Sequence, residues 1–376
     1  MLGDLVLKQV ILVAMLDSVH TVRWIKNWQE NDEVRFILVP SGPHRKAHPD
    51  LASLTSPNGP IKEIKGSGLL GGLFSYVSDK LLGTPFQLKF LRSAAAEINS
   101  TDYYLHYLET QHSGYLALRF IREQNAPIVV GSNWGSDLYW FKRSKRHRKK
   151  IVELLKRTDK YLVECQRDYN LAEGLGFRGE KTIVGPNSFV YRPRLGLDKE
   201  NLIVVKGYQG WAGLSHLVLR ALVQNRREVR NFKILVYSAS PRTSLYCKYL
   251  GRKYDLNITT YPKHHFSQEL MIQLFSRSRI YIGASKTDGI STSALEAMNQ
   301  GAISIQTNTS CINTLLSEGV NGFAPEPSVE AIGQALRRAL SLVTNNEFEI
   351  KKTEKTLESY GSERVARARF KFAYGL

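Results

Sequence analysis

Short apolar runs alternate with segments of helical periodicity along most of this sequence, and no other feature restricts its possible folds so strongly. The first helical segment places Val22, Ile25 and Trp28 on one face. The strand-like runs of the amino-terminal half are residues 9–15, 34–39, 102–107 and 128–132. This order of strands and helices predicts a mostly parallel sheet that helices cover on both faces.

A break in the pattern falls between residues 185 and 199, which contain Pro186, Pro193 and Gly196 but few apolar residues. The alternation then restarts, with strand-like runs at 202–205, 232–237, 257–261, 280–284 and 302–306. We therefore predict an α/β protein of two tandem Rossmann-like, doubly wound domains that face a central cleft. The predicted boundaries are 1–190 and 191–350, followed by a helical tail, 351–376, that could pack back on the first domain.

The composition narrows the class of partner. The chain has 376 residues, enough for two domains, and its 43% hydrophobic content is that of a folded protein. Its 52 Lys and Arg against 34 Asp and Glu leave a net charge of +18, which favours an anionic partner. No apolar run approaches the ~20 residues that a membrane helix needs. The three cysteines are scattered and odd in number, which favours a reducing cytosol.

Residues 285–301 carry the strongest functional pattern. They follow a run that reads as a buried strand and lead through a glycine and several hydroxyl residues into a helical segment. A strand, a turn and a Ser or Thr at a helix start present main-chain N–H groups to a phosphate. Two carboxylates frame this turn, Asp288 in the loop and Glu296 in the helix. The pattern predicts a site for an anionic ligand that carries hydroxyl groups, such as a nucleotide sugar.

The eight-residue spacing from Asp288 to Glu296, followed by Ala297-Met298 and Gly301, resembles the E-x7-E signature of retaining GT-B glycosyltransferases. These enzymes form the large group 1 family (glycosyltransferase family 4-like). Residues 318–323 resemble the turn that follows the family's donor site. Weaker similarities cover the loops 17–24 and 134–137 and the interdomain segment 185–187.

The resemblance implies that the first domain binds the acceptor and the second binds the nucleotide sugar. Asp288 would contact the transferred sugar and Glu296 the ribose. The phosphates would lie on the main chain of Gly289, Ile290 and Ser291, with Thr292 and Gly207 also on the donor side. Asp288 stands where Glu is commoner, so its reach is one methylene shorter.

Further candidate site residues lie at positions where this sequence differs from the family pattern. Relatives carry an Arg and a Lys near the first strand of the second domain, where this chain has only Lys206. We therefore predict that Lys206 neutralises the leaving phosphate, although a solvated cation at a strand end is an equal alternative. Trp134 occupies a position where a His is common, so Ser136 and Asp137 become the candidates there, Asp137 as a catalytic residue. His20, just past the first strand, completes the acceptor side.

The expected enzyme is a retaining, hexosyltransferase-like glycosyltransferase that uses a nucleotide-diphosphate sugar as donor and no other cofactor. The sequence contains no D-x-D triplet and no His/Asp cluster at metal spacing, so we predict metal-independent catalysis. Relatives also suggest synthesis of bacterial surface polysaccharide or lipopolysaccharide at the inner membrane face. The protein would then be cytoplasmic and peripheral to the membrane.

Simpler interpretations remain open. Asp288 and Glu296 could be a helix cap and a surface acid, or the acid and base of a glycosidase. The match to G-x-G-x-x-G at 66–71 lacks the expected acid ~20 residues later, which favours a plain loop. The neighbouring apolar residues 69–77 could touch lipid or form a core helix. The cationic run from Lys142 to Lys150 could be a solvated helix face or a contact with an anionic membrane.

Two rival functions belong to other classes. The charge would suit a basic nucleic-acid-binding protein, but the sequence shows no RNP-type motif, zinc pattern or helix-turn-helix signature. A GT-B-fold sugar-nucleotide epimerase, or a relative that binds without transfer, would share the donor motif.

Overall fold

The computed structural model describes residues 7–28, 33–42, 47–55, 59–65, 86–98, 103–124, 128–183, 189, 191–263, 265–345 and 350–376. The glycine motif at 66–71, the apolar segment 69–77 and the segment 185–187 lie outside these ranges. The chain forms two compact units. The amino-terminal unit comprises Met1–Ser188 and Ala366–Leu376, and the carboxy-terminal unit comprises Phe189–Val365.

The amino-terminal unit contains a parallel sheet of seven strands. Their bounds are β1 (Lys8–Ala14), β2 (Val34–Pro40), β3 (Ile61–Ile64), β4 (Tyr103–Tyr107), β5 (Ile128–Ser132), β6 (Lys160–Val163) and β7 (Glu180–Ile183). The strand order is β3-β2-β1-β4-β5-β6-β7. The chain thus winds in one direction from β1 and in the other from β4, so the topological switch point lies between β1 and β4.

Helices connect these strands and bury their apolar faces on the sheet. They are α1 (Val19–Lys26), α2 (Asp50–Leu54), α3 (Phe86–Glu97), α4 (His112–Glu123), α5 (Ser136–Tyr139), α6 (Lys145–Lys156) and α7 (Gln166–Gly174). Strand β1 shows why the sheet is central, because its residues Val10, Ile11 and Leu12 are fully buried. A strand covered on both faces reads as a continuous apolar run.

The end of the chain packs into the amino-terminal unit. Phe370 lies edge-on to Trp24, with ring centroids 4.8 Å apart, and the Tyr374 ring lies 5.0 Å from that of Trp28. The Tyr374 hydroxyl is 2.8 Å from Nδ1 of His106, and the Tyr104 hydroxyl donates to the Tyr374 carbonyl at 2.7 Å. The last turn of the chain is therefore part of the core of this unit.

The carboxy-terminal unit repeats the same architecture. Its strands are β8 (Leu202–Lys206), β9 (Lys233–Tyr237), β10 (Ile258–Thr260), β11 (Ile280–Gly283), β12 (Ile303–Gln306) and β13 (Gly322–Phe323). They are parallel and follow the order β10-β9-β8-β11-β12-β13, which places the switch point between β8 and β11. Two doubly wound α/β units confirm the predicted fold class.

The helices of this unit complete its two covering layers. They are α8 (Ser215–Gln224), α9 (Pro241–Tyr254), α10 (Gln268–Arg277), α11 (Thr292–Asn299) and α12 (Val329–Asn345), followed by α13 (Ile350–Gly361). The last helix, α14 (Glu363–Tyr374), belongs from Ala366 onwards to the amino-terminal unit. Among the described residues, no helix combines the length and apolarity needed to cross a bilayer.

Candidate active site

The strongest candidate site lies at the switch point of the carboxy-terminal sheet. Strand β8 pairs with β9 on one side and with β11 on the other. The loop after β8 begins at Gly207, and the loop after β11 leads to α11. Ligands of doubly wound sheets bind beyond the carboxyl ends of the strands at such a point, where neighbouring loops diverge.

Main-chain hydrogen bonds join these two loops into one unit, which we call the loop clasp (residues 207–214 with 284–286). The N–H of Leu214 donates to the carbonyl of Ala284 at 3.0 Å, and the N–H of Lys286 donates to the carbonyl of Ala212 at 2.7 Å. Gly213 and Ser285 form an antiparallel bridge between these bonds. The clasp fixes the position of the segment that leads into Asp288.

The helix that follows begins as the sequence predicts. Ser291 is the N-cap of α11, and its hydroxyl accepts from the N–H of Ala294 at 3.4 Å. The first-turn N–H groups of a helix have no partner within the helix and carry the positive end of its dipole. The main chain at Gly289, Ile290, Ser291 and Thr292 therefore lies where a phosphate would be favoured.

The charged residues predicted for the donor site lie close together. Burial lowers the pKa of Lys206, but the neighbouring Tyr237, Asp288, Tyr208 and Glu296 raise it further, so that its pKa lies above the usual value. Lys206 is consequently an ammonium ion at neutral pH, held at the end of β8 by two nearby carboxylates. The phosphate role of Lys206 stays a prediction.

Glu296 lies on the first turns of α11 and is only 8% exposed. Its Oε1 atom accepts from Nε2 of Gln268 at 3.4 Å. Gln268 is the first residue of α10, so this contact orients the carboxylate from a second helix. A carboxylate positioned in this way can accept hydrogen bonds from a vicinal pair of hydroxyls.

Two buried tyrosines extend the site, and the sequence analysis did not identify them. Tyr237 ends β9 opposite Lys206 in the strand register, and its hydroxyl lies beside Ser293 and Tyr281. Burial raises the pKa of Tyr237, whereas the Lys206 ammonium lowers it. Burial likewise raises the pKa of Tyr281, whose hydroxyl lies beside Ser291. A polar residue at the end of a neighbouring strand was the available signal.

Several buried polar atoms in the same region have no hydrogen-bond partner in the described part of the chain. They are the side-chain oxygens of Ser285, Thr287 and Gln306. Gln306 Oε1 and the Tyr281 hydroxyl crowd Gly283, where a Cβ atom would lie 2.3 Å from the first and 2.8 Å from the second. Buried polar atoms are rarely left without partners, and a polar ligand bound at this edge would supply partners for these three.

Gly207 allows β8 and β9 to approach closely. A Cβ atom at this position would lie 2.6 Å from Cγ1 of Val236 and 2.8 Å from the carbonyl oxygen of Tyr237. The N–H of Gly207 donates to that same carbonyl at 2.7 Å. Its N–H thus serves the sheet, and any donor-binding role of Gly207 would come from its lack of a side chain.

The outer rim of the site contains aromatic and cationic side chains. Tyr208 and Trp211, both in the loop clasp, are 41% and 51% exposed. His216 Nδ1 lies 2.9 Å from Gln209 Oε1, which ties the clasp to α8. Burial, reinforced by the charges of Arg220 and Lys286, lowers the pKa of His216. Lys286 is a further cation at this rim that the sequence analysis missed.

The residues predicted for the acceptor side lie in the amino-terminal unit, and two of them are in contact. The rings of His20 and Trp134 have centroids 5.2 Å apart. They follow β1 and β5, the strands on either side of β4, so they lie at the carboxyl edge near the switch point of this sheet. Trp134 Nε1 is buried without an acceptor among the described residues, and Ser136 begins α5 beside it.

Asp137 has a different environment from that expected of a catalytic residue. Its carboxylate accepts from the N–H of Trp134 at 2.9 Å and from the N–H and hydroxyl of Thr110 at 3.0 and 3.1 Å. Burial, reinforced by the charge of Glu109, raises the pKa of Asp137 to about 7. These contacts favour a positioning role, in which Asp137 holds the loop that carries Trp134. The predicted catalytic role stays a prediction.

The carboxy-terminal unit matches a known family over most of its length. Residues 190–358 match the family model described as glycosyl transferases group 1. The group 1 segment includes both loops of the clasp, Lys206, Asp288 and Glu296. No curated protein sequence matches the chain.

Solved structures of low sequence identity share the GT-B fold with the whole chain. Sucrose-phosphate synthase from Thermosynechococcus elongatus aligns over 98% of this chain and 98% of its own, with a TM-score of 0.71 and 12% identity. Anabaena HepE in complex with UDP-glucose aligns over 96% and 98%, with a TM-score of 0.70 and 12% identity.

A third structure, the lipopolysaccharide outer core galactosyltransferase WaaB in its apo form, aligns over 98% of this chain and 99% of its own, with a TM-score of 0.67 and 11% identity. The pneumococcal O-GlcNAc transferase GtfA is longer, and the present chain covers 60% of it. At these identities the similarity to solved structures establishes the fold alone.

Proposed function

We propose that this protein is a retaining, metal-independent glycosyltransferase. It transfers a sugar from a nucleotide-diphosphate sugar to a hydroxyl group of a glycan or a lipid-linked acceptor. The observation that carries this proposal is the group of Lys206, Asp288 and Glu296 at the start of α11, within a segment that matches the group 1 family model. A partly buried cation, two acids and the amino terminus of a helix match the charges and hydroxyls of such a donor.

Each part of the donor has a candidate partner. The diphosphate lies on the main chain from Gly289 to Ser291, where the helix dipole stabilises an anion by roughly 0.3–1 kcal/mol or more. Lys206 neutralises the charge that develops on the departing phosphate. Asp288 accepts hydrogen bonds from the transferred sugar, and Glu296 accepts them from the ribose.

The reaction needs no protein nucleophile in this proposal. The bond between the anomeric carbon and the phosphate oxygen breaks, and its electron pair leaves with the diphosphate. The acceptor oxygen forms the new bond on the same face, and its proton passes to a phosphate oxygen. Fixed donors that stabilise the leaving group would supply most of the rate enhancement.

The amino-terminal unit would bind the acceptor. The His20 and Trp134 rings offer an aromatic surface, and the unpaired Trp134 Nε1 offers a hydrogen-bond donor. Sugar rings and lipid-linked sugars both stack on such surfaces. Ser136, at the start of α5, is the neighbouring hydroxyl.

The cationic run in this unit supports a membrane-associated acceptor. The run spans the start of α6, and burial with the nearby charges of Arg143, Arg148 and Arg167 lowers the pKa of Lys142. A cluster of cations is attracted to an anionic surface, and each cation near the lipid contributes about 1 kcal/mol to the binding free energy. We therefore place the protein at the inner membrane face, in surface polysaccharide or lipopolysaccharide synthesis, as the similarity to WaaB also suggests.

A ligand screen tests the donor first. Purified protein is titrated with nucleoside diphosphates and their sugar conjugates, starting with UDP because HepE binds UDP-glucose. A true donor at ~100 times its Kd raises the stability by about 2.7 kcal/mol, which is visible as a thermal shift. Binding to duplex DNA with steep salt dependence and no nucleotide binding would instead support the nucleic-acid function.

Product analysis then tests the chemistry. A transferase releases nucleoside diphosphate only when an acceptor is added, whereas an epimerase changes the donor sugar without an acceptor. Nuclear magnetic resonance of the product shows whether the anomeric configuration is retained. Full activity in excess EDTA is expected, and a strict requirement for Mg²⁺ or Mn²⁺ would contradict the metal-independent mechanism.

A further inference from the structure

Helix α9 exposes a stripe of residues on the side opposite its buried face. Thr243, Cys247 and Leu250 are buried against the rest of the carboxy-terminal unit. The exposed side chains recur at intervals of three or four residues, which places them on one face of the helix. This α9 stripe consists of Arg242, Leu245, Lys248, Tyr249, Arg252 and Lys253.

The α9 stripe combines two properties that seldom occur together on a surface helix. Leu245 is 71% exposed and Tyr249 is 51% exposed. Four cations surround them, and α9 contains no Asp or Glu between its first residue and its last. A solvated helix face usually mixes charges of both signs and exposes little leucine.

The side chains of the stripe are also arranged as a unit. Lys253 Nζ donates to the Tyr249 hydroxyl at 2.8 Å and lies 5.3 Å from the centre of that ring. Leu245, Lys248 and Arg252 line a shallow groove together with this pair. Apolar side chains thus lie between flexible cations, as they do in helices that bind at the interface of a bilayer.

We propose that the α9 stripe docks on an anionic lipid surface. Leu245 and Tyr249 enter the headgroup region, and the four cations contact lipid phosphates. A nucleic acid would use the cations but would gain little from an exposed leucine. An acidic protein would need a larger apolar patch than two side chains offer. This surface is separate from the donor site, and its role does not depend on glycosyl transfer.

The test uses vesicles of phosphatidylcholine alone or with about 30 mol% phosphatidylglycerol, and it measures the fraction of full-length protein that floats with them. We expect binding to the anionic vesicles to fall at least tenfold in Leu245→Ser/Tyr249→Ser and in Lys248→Gln/Arg252→Gln/Lys253→Gln. The matched controls are Leu270→Ser, an exposed leucine outside the stripe, and Arg226→Gln/Arg227→Gln/Arg230→Gln. They should change binding less than twofold.

Insertion is measured separately with Tyr249→Trp. Its added fluorescence should be quenched by brominated lipid in anionic vesicles, whereas Leu270→Trp should not be quenched. Quenching at both positions, quenching at neither, or equal loss of binding in the control variants would overturn the proposal. This readout remains informative even if the Lys142–Lys150 run also binds lipid.

Discussion

In the amino-terminal unit, the Asp137 carboxylate at the sheet edge accepts three hydrogen bonds from Trp134 and Thr110. At the corresponding edge of the carboxy-terminal sheet, the hydroxyls of Ser285 and Thr287 are buried without a partner in the described ranges. Both edges lie at a topological switch point, and both are built from loops that follow parallel strands. They differ in which groups the protein itself satisfies: the amino-terminal edge pairs its buried carboxylate and leaves Trp134 Nε1 without an acceptor among the described residues, whereas the carboxy-terminal edge leaves hydroxyls without partners.

This difference assigns different tasks to the two edges. The hydrogen bonds to the Asp137 carboxylate hold the loop that presents the rings of His20 and Trp134. A loop that buries polar atoms without partners costs stability until a ligand pairs with them. The carboxy-terminal edge is therefore prepared for a polar ligand, and substitutions in the two regions should have different consequences.

The largest effect is expected for Lys206→Met. Loss of the only predicted phosphate cation should lower sugar transfer by about 10³-fold, because charge on the leaving group would no longer be neutralised. Lys199→Met is the matched control, because Lys199 is also partly buried in this unit but donates to the carbonyls of Ser278 and Gln300. Initial rates at saturating donor measure both. Equal losses would indicate general destabilisation.

Asp288→Asn and Glu296→Gln should separate sugar contact from ribose contact. Asp288→Asn should lower transfer by about 10²-fold with little change in affinity for the free nucleoside diphosphate. Glu296→Gln should weaken that affinity by about tenfold, the effect of one charge-assisted hydrogen bond. Calorimetry with the diphosphate and kinetics with the sugar donor measure the two quantities. The reverse pattern would exchange the two assignments.

Asp137→Asn tests the positioning role. An amide would bring a donor against the N–H groups of Trp134 and Thr110, so we expect a loss of about 2 kcal/mol in the stability of the amino-terminal unit. Urea unfolding followed by tryptophan fluorescence suits this measurement, because four of the five tryptophans lie in that unit. Transfer per folded molecule should fall less than tenfold. A hundredfold loss at unchanged stability would instead support catalysis by Asp137.

The smallest effect concerns pH. Burial lowers the pKa of His106 from 6.5 to about 3, so the folded state holds it neutral while the unfolded chain binds a proton below pH 6.5. The contribution of His106 to the free energy of unfolding is therefore fully present above pH 6.5. It falls as the pH decreases, by about 1.4 kcal/mol at pH 5.5.

Asp137 has the opposite effect, because its raised pKa makes the folded state bind a proton more readily than the unfolded chain between pH 4 and about 7, which increases stability as the pH decreases. Wild type must therefore be compared with His106→Gln, in which the effect of Asp137 is unchanged. The unfolding free energy of wild type should fall relative to that of the variant as the pH decreases from 7.5 to about 5.5. Parallel curves would show that His106 is not the responsible group.

Much of the fold follows from local patterns in the sequence. Continuous apolar runs locate the central strands, such as β1 and β8, because both faces of these strands are covered. Edge strands lack this signal, and β7 (Glu180–Ile183) contains Glu180, Lys181 and Thr182, so no apolar run marks it. Helix α9 begins at Pro241 because Ser240 caps it and a proline is tolerated in the first turn of a helix.

The site is predictable to the extent that it is local. Asp288, Ser291 and Glu296 lie on one loop and one helix, so their spacing alone brings them together. Tyr237 reaches Lys206 only through the register of β8 with β9, which pairs residues 31 positions apart. The hydrogen bonds that the Asp137 carboxylate accepts likewise depend on Thr110, 27 positions earlier. A single sequence can mark Tyr237 as a polar residue at a strand end, but it contains no signal for which distant residue it contacts.

The loop clasp has a consequence for redesign of this protein. Its bonds join main-chain atoms of Ala212, Leu214, Ala284 and Lys286, so these cross-loop bonds do not use the side chains that the clasp displays. Tyr208 and Trp211 project from it into solvent beside the donor loop. A library randomised at these two positions would vary the rim chemistry on a constant frame, which makes them natural starting points for altering substrate preference.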